Sequence, residues 1–426
     1  MLISRGFLRQ LRWLAAFVIG GFLGSALSAQ EAGGLHPTAV NGALLGRADS
    51  GWQSMKANES AANHGSTLIA LFEADLKSTN GAVTVKMLGD IGEFGPLPVL
   101  DSAVRILKPG AQEDVALALQ RGVIVLTNTK SSGVATVRLQ VRGEDVELKL
   151  KSPGTKIGIE SHGRHPGGAI HILKDEPTTF VFVLVGNGDV VISTKTNSYG
   201  MSAPPGPALL RWDSVGKQAE IVALEKFPPE LVRNDQEKQQ FAKICAAAEA
   251  FNGKDPRAVA AKLVKSDDAL ERRVAVTAMG AFDDIAGLLA ALDDGAHKDV
   301  REQAVLVLRS WMGRSSGQLK TMRAGMVQQK YSLPQMKTTM HLLFGFDEQE
   351  RERPLVYELL LNLLDHKSVS VRELAHWHLV RMAPAGRDIV FDAGAAEDVR
   401  QQAVERWRKL IPPGELPPRP KVKKQP

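Results

Sequence analysis

Four short stretches in the second half of the chain repeat one pattern. The clearest is His297-Lys298-Asp299-Val300-Arg301-Glu302-Gln303-Ala304, which returns as Ser370-Val371-Arg372-Glu373-Leu374-Ala375 and as Asp398-Val399-Arg400-Gln401-Gln402-Ala403. Glu271-Arg272-Arg273-Val274-Ala275 is a looser copy. The arginines Arg272, Arg301, Arg372 and Arg400 are spaced by 29, 71 and 28 residues. The middle step is about two repeat lengths, which implies one degenerate copy between. A helical unit of this size cannot bury its apolar face alone, so neighbouring units must stack to share a core. Such stacks present surfaces more often than enclosed pockets. The pattern therefore constrains architecture more than chemistry.

A helical period runs from about Arg233 onward. Phe241, Ile244, Cys245 and Ala248 fall on one stripe. Asp255-Pro256 supplies an N-cap and a first-turn proline, with Val259 and Leu263 expected to face inward. Ile285, Leu288, Leu289 and Leu292 repeat the spacing before Asp293-Asp294-Gly295 ends that helix, and Val305 with Leu308 extends the face of Val300 and Ala304. Met336, Met340, Leu343 and Phe344 make the stripe of the degenerate copy. Leu359, Leu360, Leu363 and Leu364 follow the helix-opening Pro354. The last helix is expected from Glu397 to Leu410, with Pro412-Pro413-Gly414 as its stop. These signals place an α-helical repeat domain at 233–411 and an extended Pro- and Lys-rich tail at 412–426.

Residues 67–224 carry a period of two instead. Val83–Leu88, Gly122–Thr127, Ala135–Val141, Val146–Leu150, Lys156–Ser161, Ala169–Leu173, Thr179–Val185, Asp189–Thr194 and Ala208–Trp212 are strand candidates. Gly143-Glu144-Asp145 and Gly186-Asn187-Gly188 read as turns. The expected fold class is α+β: an N-terminal all-β sandwich, barrel or β-solenoid domain, then the helical repeats. Phe227-Pro228-Pro229 marks the boundary, because consecutive prolines continue neither regular element. Residues 30–66, rich in Gly, Ala, Asn and Ser, read as a flexible leader from which Trp52 and Met55 dock.

Residues 1–29 read as an export signal. Arg5, Arg9 and Arg12 precede an apolar run of 11 residues, Trp13 to Leu23, and small residues lead to Ala29. A bilayer span needs about 20 residues, so an uncleaved N-terminus is the only membrane contact the sequence offers. The expected location is periplasmic or secreted, with inner-membrane anchoring if cleavage fails. The formal net charge is +6, and the signal arginines carry half of it, which argues against a nucleic-acid partner. The single cysteine, Cys245, excludes an internal disulfide and is expected to be buried and unreactive.

The repeated Val-Arg-x-x-Ala resembles HEAT-type repeats over about Lys254 to Leu410. In that family the small residue lets paired helices approach, and the arginine ties neighbouring repeats through an acidic partner. The resemblance thus implies stacking roles for Arg272, Arg301, Arg372 and Arg400 with Ala275, Ala304, Ala375 and Ala403. The block from Gly313 to Arg353 departs from the pattern. The β half is similar to FecR-type periplasmic domains, through Gly81-Ala82-Val83-Thr84-Val85 with Gly89-Asp90, Arg121 to Thr127, and Ser152-Pro153-Gly154-Thr155. That resemblance implies ligand or partner sensing in the envelope.

Glu160-Ser161-His162-Gly163-Arg164-His165, followed by His171 and Asp175, is the densest group of metal-ligand types. The turn residues Gly163, Pro166, Gly167 and Gly168 favour a solvated loop. The alternative is a metal-dependent enzyme with Glu160, His162, His165 and His171 as ligands in a domain resembling a cupin. That likeness is broken by the His-x-x-His spacing. His376-Trp377-His378 cannot chelate one ion, because residues two apart on a helix point to different sides. P-loop and His-Glu-x-x-His signatures are missing from the sequence. The expected function is non-enzymatic, without a cofactor. The β domain would engage a ligand or envelope component and the repeats would dock a protein partner. Glu302, Arg309, Glu373 and Arg381 are the candidate exposed charges for that partner.

Overall fold

The computed structural model describes residues 33–48, 51–59, 61–92, 99–168, 176–203, 208–224 and 233–418. The expected signal segment, the strand expected at Ala169–Leu173, Pro204–Pro207, the Pro228-Pro229 boundary and the tail beyond 418 lie outside them. The fold class is α+β, with strands first and helices after.

Two long strands organise the β unit. The first half of β6 (Val115–Asn128) pairs with β5 (Ser102–Leu107) on one edge and, in parallel, with β7 (Ala135–Val141) on the other. Its second half pairs with β4 (Val83–Leu88) and β9 (Lys156–Arg164). The exchange of partners happens at Gly122, where φ is 91°. A side chain there would collide with Asp101 and Ser102, so only glycine suits the bend. β10 (Thr178–Ser193) behaves the same way. It pairs with β12 (Ala208–Asp213) as far as Val185, then with β8 (Glu144–Leu150) and β11 (Ser198–Ala203). Because β9 joins β6 to β10, the order β6-β7-β8-β10-β9 closes into a five-stranded barrel. Closure removes the exposed edges of a sheet. Alternating residues fill its inside, among them Ile124, Leu126, Val137, Leu139, Leu148 and Ile157.

The remaining strands extend from β6. β4 and β5 lie end to end between β6 and β3 (Thr67–Ser78), β5 opposite Thr67 to Ala70 and β4 opposite Glu73 to Lys77. β1 (Leu35–Ala48) covers the outer edge of β3, β2 (Gly51–Met55) that of β1, and β13 (Glu220–Ala223) that of β12. The leader expected at 30–66 is corrected here: Leu35, Leu44 and Leu45 are fully buried, and β1 is anchored along its length to β3. Small residues weaken the hydrophobic pattern of β1, but backbone pairing does not depend on them. Gly186-Asn187-Gly188 is a bend within β10 instead of a turn between strands. The β7–β8 turn falls on Arg142 and Gly143, both with positive φ, and β8 already begins at Glu144.

The first two helices belong with the strands. α1 (Asp235–Ala248) starts at a capping box made by Asn234 and Glu237 and buries Phe241, Ile244, Cys245 and Ala248. It packs on β1 and β3, while α2 (Pro256–Leu263) packs on β2. Asn252 Nδ2 donates to the carbonyl of Gly42 at 3.2 Å, and Gly42 leaves room for Ala248. The chain therefore divides near Leu263 instead of at Arg233, with Gly163–Thr178 counted in the helical unit.

That unit contains α3 (Ala269–Ala281), α4 (Ile285–Leu292), α5 (Lys298–Met312), α6 (Gly317–Gln328), α7 (Leu333–Phe344), the single turn α8 (Glu348–Arg351), α9 (Pro354–Leu363), α10 (Val369–Met382) and α11 (Glu397–Leu410). α3 and α4 pack on α5, α4 and α5 on α6, and α9 on both α10 and α11. α7 touches both α5 and α10, as a copy between them should, yet α5 and α10 also touch each other directly. The expected apolar stripes are buried at Ile285, Leu288, Leu289, Leu292, Met336, Met340, Leu343 and Phe344, whereas Leu359 is exposed.

Candidate functional site: an arginine relay through the helical unit

Each repeat arginine starts one turn into its helix, where it faces the loop before that helix. Arg272 Nη1 donates to the carbonyl of Ser266 at 2.7 Å, and Arg301 Nη1 to that of Asp294 at 2.8 Å. Arg372 Nη1 donates to His366 at 2.6 Å, and Arg400 Nη1 to Ala395 at 2.5 Å. The same atom of the same residue thus pins the entry loop of four helices.

The other side of each guanidinium reaches onward. Arg272 forms a fork to Asp299 of α5, Nε to Oδ2 at 2.9 Å and Nη2 to Oδ1 at 2.8 Å. That hydrogen bonding holds the Arg272 guanidinium above its ordinary pKa. Arg301 is completely buried and donates Nε to Glu373 Oε2 of α10 at 2.8 Å and Nη2 to Asp392. Burial pushes the Glu373 carboxyl up, against the pull of Arg301. Arg372 donates Nε and Nη2 to the carbonyl of Ala393 at 2.9 and 2.6 Å. At Arg400 the relay ends, since its buried Nε meets no acceptor among the described residues. Ala275, Ala304, Ala375 and Ala403 are all buried beside these arginines' helices.

The sequence identified the arginines but not their targets. Asp299 and Glu373 stand two before Arg301 and one after Arg372, inside the repeated motif, and the motif itself was the available signal. Asp392 and the Ala393 carbonyl carry no pattern. Two further ties also escaped the sequence: Asp293 accepts the backbone N–H of Ser370, in the first turn of α10, at 3.2 Å, and Gln303 Nε2 donates to Thr277 at 2.9 Å.

The candidate partner charges separate. Glu302 is exposed on α5, near Lys298. Arg381 is exposed and Arg309 half-buried. Glu373 is 2 % exposed and engaged by Arg301, so it is corrected from a surface charge to an internal one. His376 is buried against Phe391 and Trp407. His378 is buried against Phe346, and its Nε2 donates to the Leu342 carbonyl at 2.6 Å. Burial pushes the two rings down to about 4 and about 3 respectively. Cys245 is buried, and its thiol is pushed up to about 12.

The described histidines around β9 have other partners. Strand β9 continues to Arg164 where a loop was expected. Glu160 is fully buried in the β unit, with His162 Nδ1 at 2.9 Å from its Oε1, and the His162 ring stacks on Phe180 at 5.3 Å. His165 is packed in the helical unit, edge-on to Phe344 at 5.0 Å. His171 lies outside the described residues. Among the described residues no three of His, Cys, Asp and Glu come together as metal ligands. Comparison with protein-family models, curated proteins and solved structures returns no match.

Proposed function

We propose that this is an exported, non-catalytic interaction protein. Its β unit would engage a ligand or envelope component, and its helical unit would serve as a docking platform for a protein partner. The arginine relay carries this reading. Its direct bonds from one repeated motif to the next, at Arg272 to Asp299 and Arg301 to Glu373, support the likeness to HEAT-type stacks. Stacks of that kind hold a fixed face for a partner. The export part rests on the basic-then-apolar pattern of residues 1–29.

A photo-crosslinking residue in place of Glu302, in intact cells, tests the docking. One envelope protein captured at this position, and not from a site in the β unit, is the expected result. Failure to capture any protein, together with turnover of a small molecule or stoichiometric metal by elemental analysis, would replace this reading with an enzymatic one. N-terminal sequencing of the secreted or periplasmic form should begin at Gln30.

A further inference from the structure

The relay leaves out a second group of arginines in the helical unit. Arg309 of α5 donates Nη1 to the Leu343 carbonyl, and its guanidinium lies 4.7 Å from the centre of the Trp377 ring. Arg381, one turn beyond Trp377 on α10, lies 3.7 Å from the same ring and donates to the Trp377 carbonyl at 3.2 Å. Arg351, closing α8, donates Nε to the Phe346 carbonyl at 3.0 Å. Arg164 enters from the Gly163–Thr178 segment of the same unit. Burial and the like charges of Arg164, Arg381 and Arg351 together hold Arg309 down to about 10.

These four differ from Arg272 and Arg301 in what they bind. Arg272 and Arg301 end on carboxylates, while Arg309, Arg351 and Arg381 end on carbonyls and on the face of a ring. Among the described residues none of the four forms an ion pair, and the acid that acts on Arg381 is the more distant Glu302. The indole N–H of Trp377 is also buried without an acceptor among the described residues. A guanidinium has five N–H donors in a rigid fork, so most donors of this group remain unspent. Gathering like charges around a half-buried one is unfavourable unless an anion joins them. Contact with the ring fixes two of the guanidinium groups in advance.

We propose that Arg309 and Arg381, both set against Trp377, together with Arg164 and Arg351 bind a phosphate-bearing ligand. Arg309 and Trp377 are half-buried and held in place, whereas Arg164, Arg351 and Arg381 are exposed and open to an incoming group. A phosphate dianion offers several acceptor oxygens and two negative charges to this donor set, and a monocarboxylate offers half the charge. The site does not depend on the docking reading, since no partner protein is needed to fill it.

Calorimetry on the full processed chain at low ionic strength tests the site, with inorganic phosphate and with acetate at equal ionic strength. Saturable phosphate binding at least tenfold tighter than acetate is expected. The double variant Arg351→Gln, Arg381→Gln changes only exposed side chains. It should keep its circular dichroism spectrum and lose at least tenfold in phosphate affinity. Sedimentation with phosphatidic acid vesicles, against phosphatidylcholine alone, separates the sources of the phosphate. Pelleting with the former assigns a lipid headgroup, and binding of inorganic phosphate without pelleting assigns a soluble ligand. Neither probe binding, acetate binding as tightly as phosphate, or an unchanged double variant would overturn the proposal.

Discussion

In the β unit the backbone of each strand is bonded to its neighbours, and β6 and β10 each pair with four other strands. In the helical unit every helix closes its own backbone bonds, so its register against the next helix falls to side chains. Apolar stripes supply most of the burial but little direction, because one methyl contact resembles another. The arginine relay supplies the direction. The β unit also has charged pairs, some partly exposed, as Lys86 with Glu73 and Arg138 with Glu113, and one largely buried, Arg121 with Asp101, but all of them brace strands already paired. The same kind of interaction is thus marginal where backbones pair and decisive where they do not.

Acid should separate the units most. His376 and His378 are kept neutral in the folded helical unit, at about 4 and about 3. An unfolded histidine titrates near ~6.5, so the unfolded state takes up protons first as pH falls. The neutral rings' contribution is therefore complete above about pH 6.5 and is lost progressively below it. At ~1.36 kcal/mol per unit of pKa difference, the loss at pH 4.5 is roughly 5 kcal/mol for both rings. Urea unfolding followed at 222 nm at pH 7.5 and 4.5 measures it. The double variant His376→Asn, His378→Gln should flatten the profile, and an equally steep profile in that variant would remove the histidines from the account.

Arg301→Ala comes next, at about 3–5 kcal/mol, because it strands Glu373 as a buried charge without its partner. Arg400→Ala, which removes one carbonyl contact at the end of the relay, should cost about 0.5–1.5 kcal/mol. Equal losses in the two variants would mean that the relay is not what sets helix register. The strands are tested through the backbone instead. Gly122→Ala imposes a left-handed backbone on a residue with a side chain, at about 1–3 kcal/mol. Thermal melts followed at 218 nm should show it, and an unchanged melt would mean that β6 can shift partners without that bend.

How much the sequence revealed follows the same division. Helix stripes were legible because their period is local: Ile285, Leu288, Leu289 and Leu292 declare a buried face without reference to anything distant. The arginines were legible because they repeat. Their partners were not, since Glu373 lies 72 residues from Arg301 and Asp392 lies 91 away. β1 escaped because Gly, Ala and Asn dilute its alternation, while its stability comes from pairing with β3. Gly188 was read as part of a turn because positive φ serves a turn and a bent strand equally well. The histidines near β9 looked like one cluster only because they are close in sequence. Glu160 is buried and bonded to His162 in the β unit, whereas His165 packs on Phe344 in the helical unit.

The repeat arginines face one way. Arg272, Arg301 and Arg372 each grip the loop behind and the segment ahead, so the array has a head and a foot, as a row of hooks and eyes does. At its foot, Arg400 offers a hook with no eye. A further helix pair added after Leu410, with an acidic residue where Asp299 stands relative to Arg272, would find a waiting cation there.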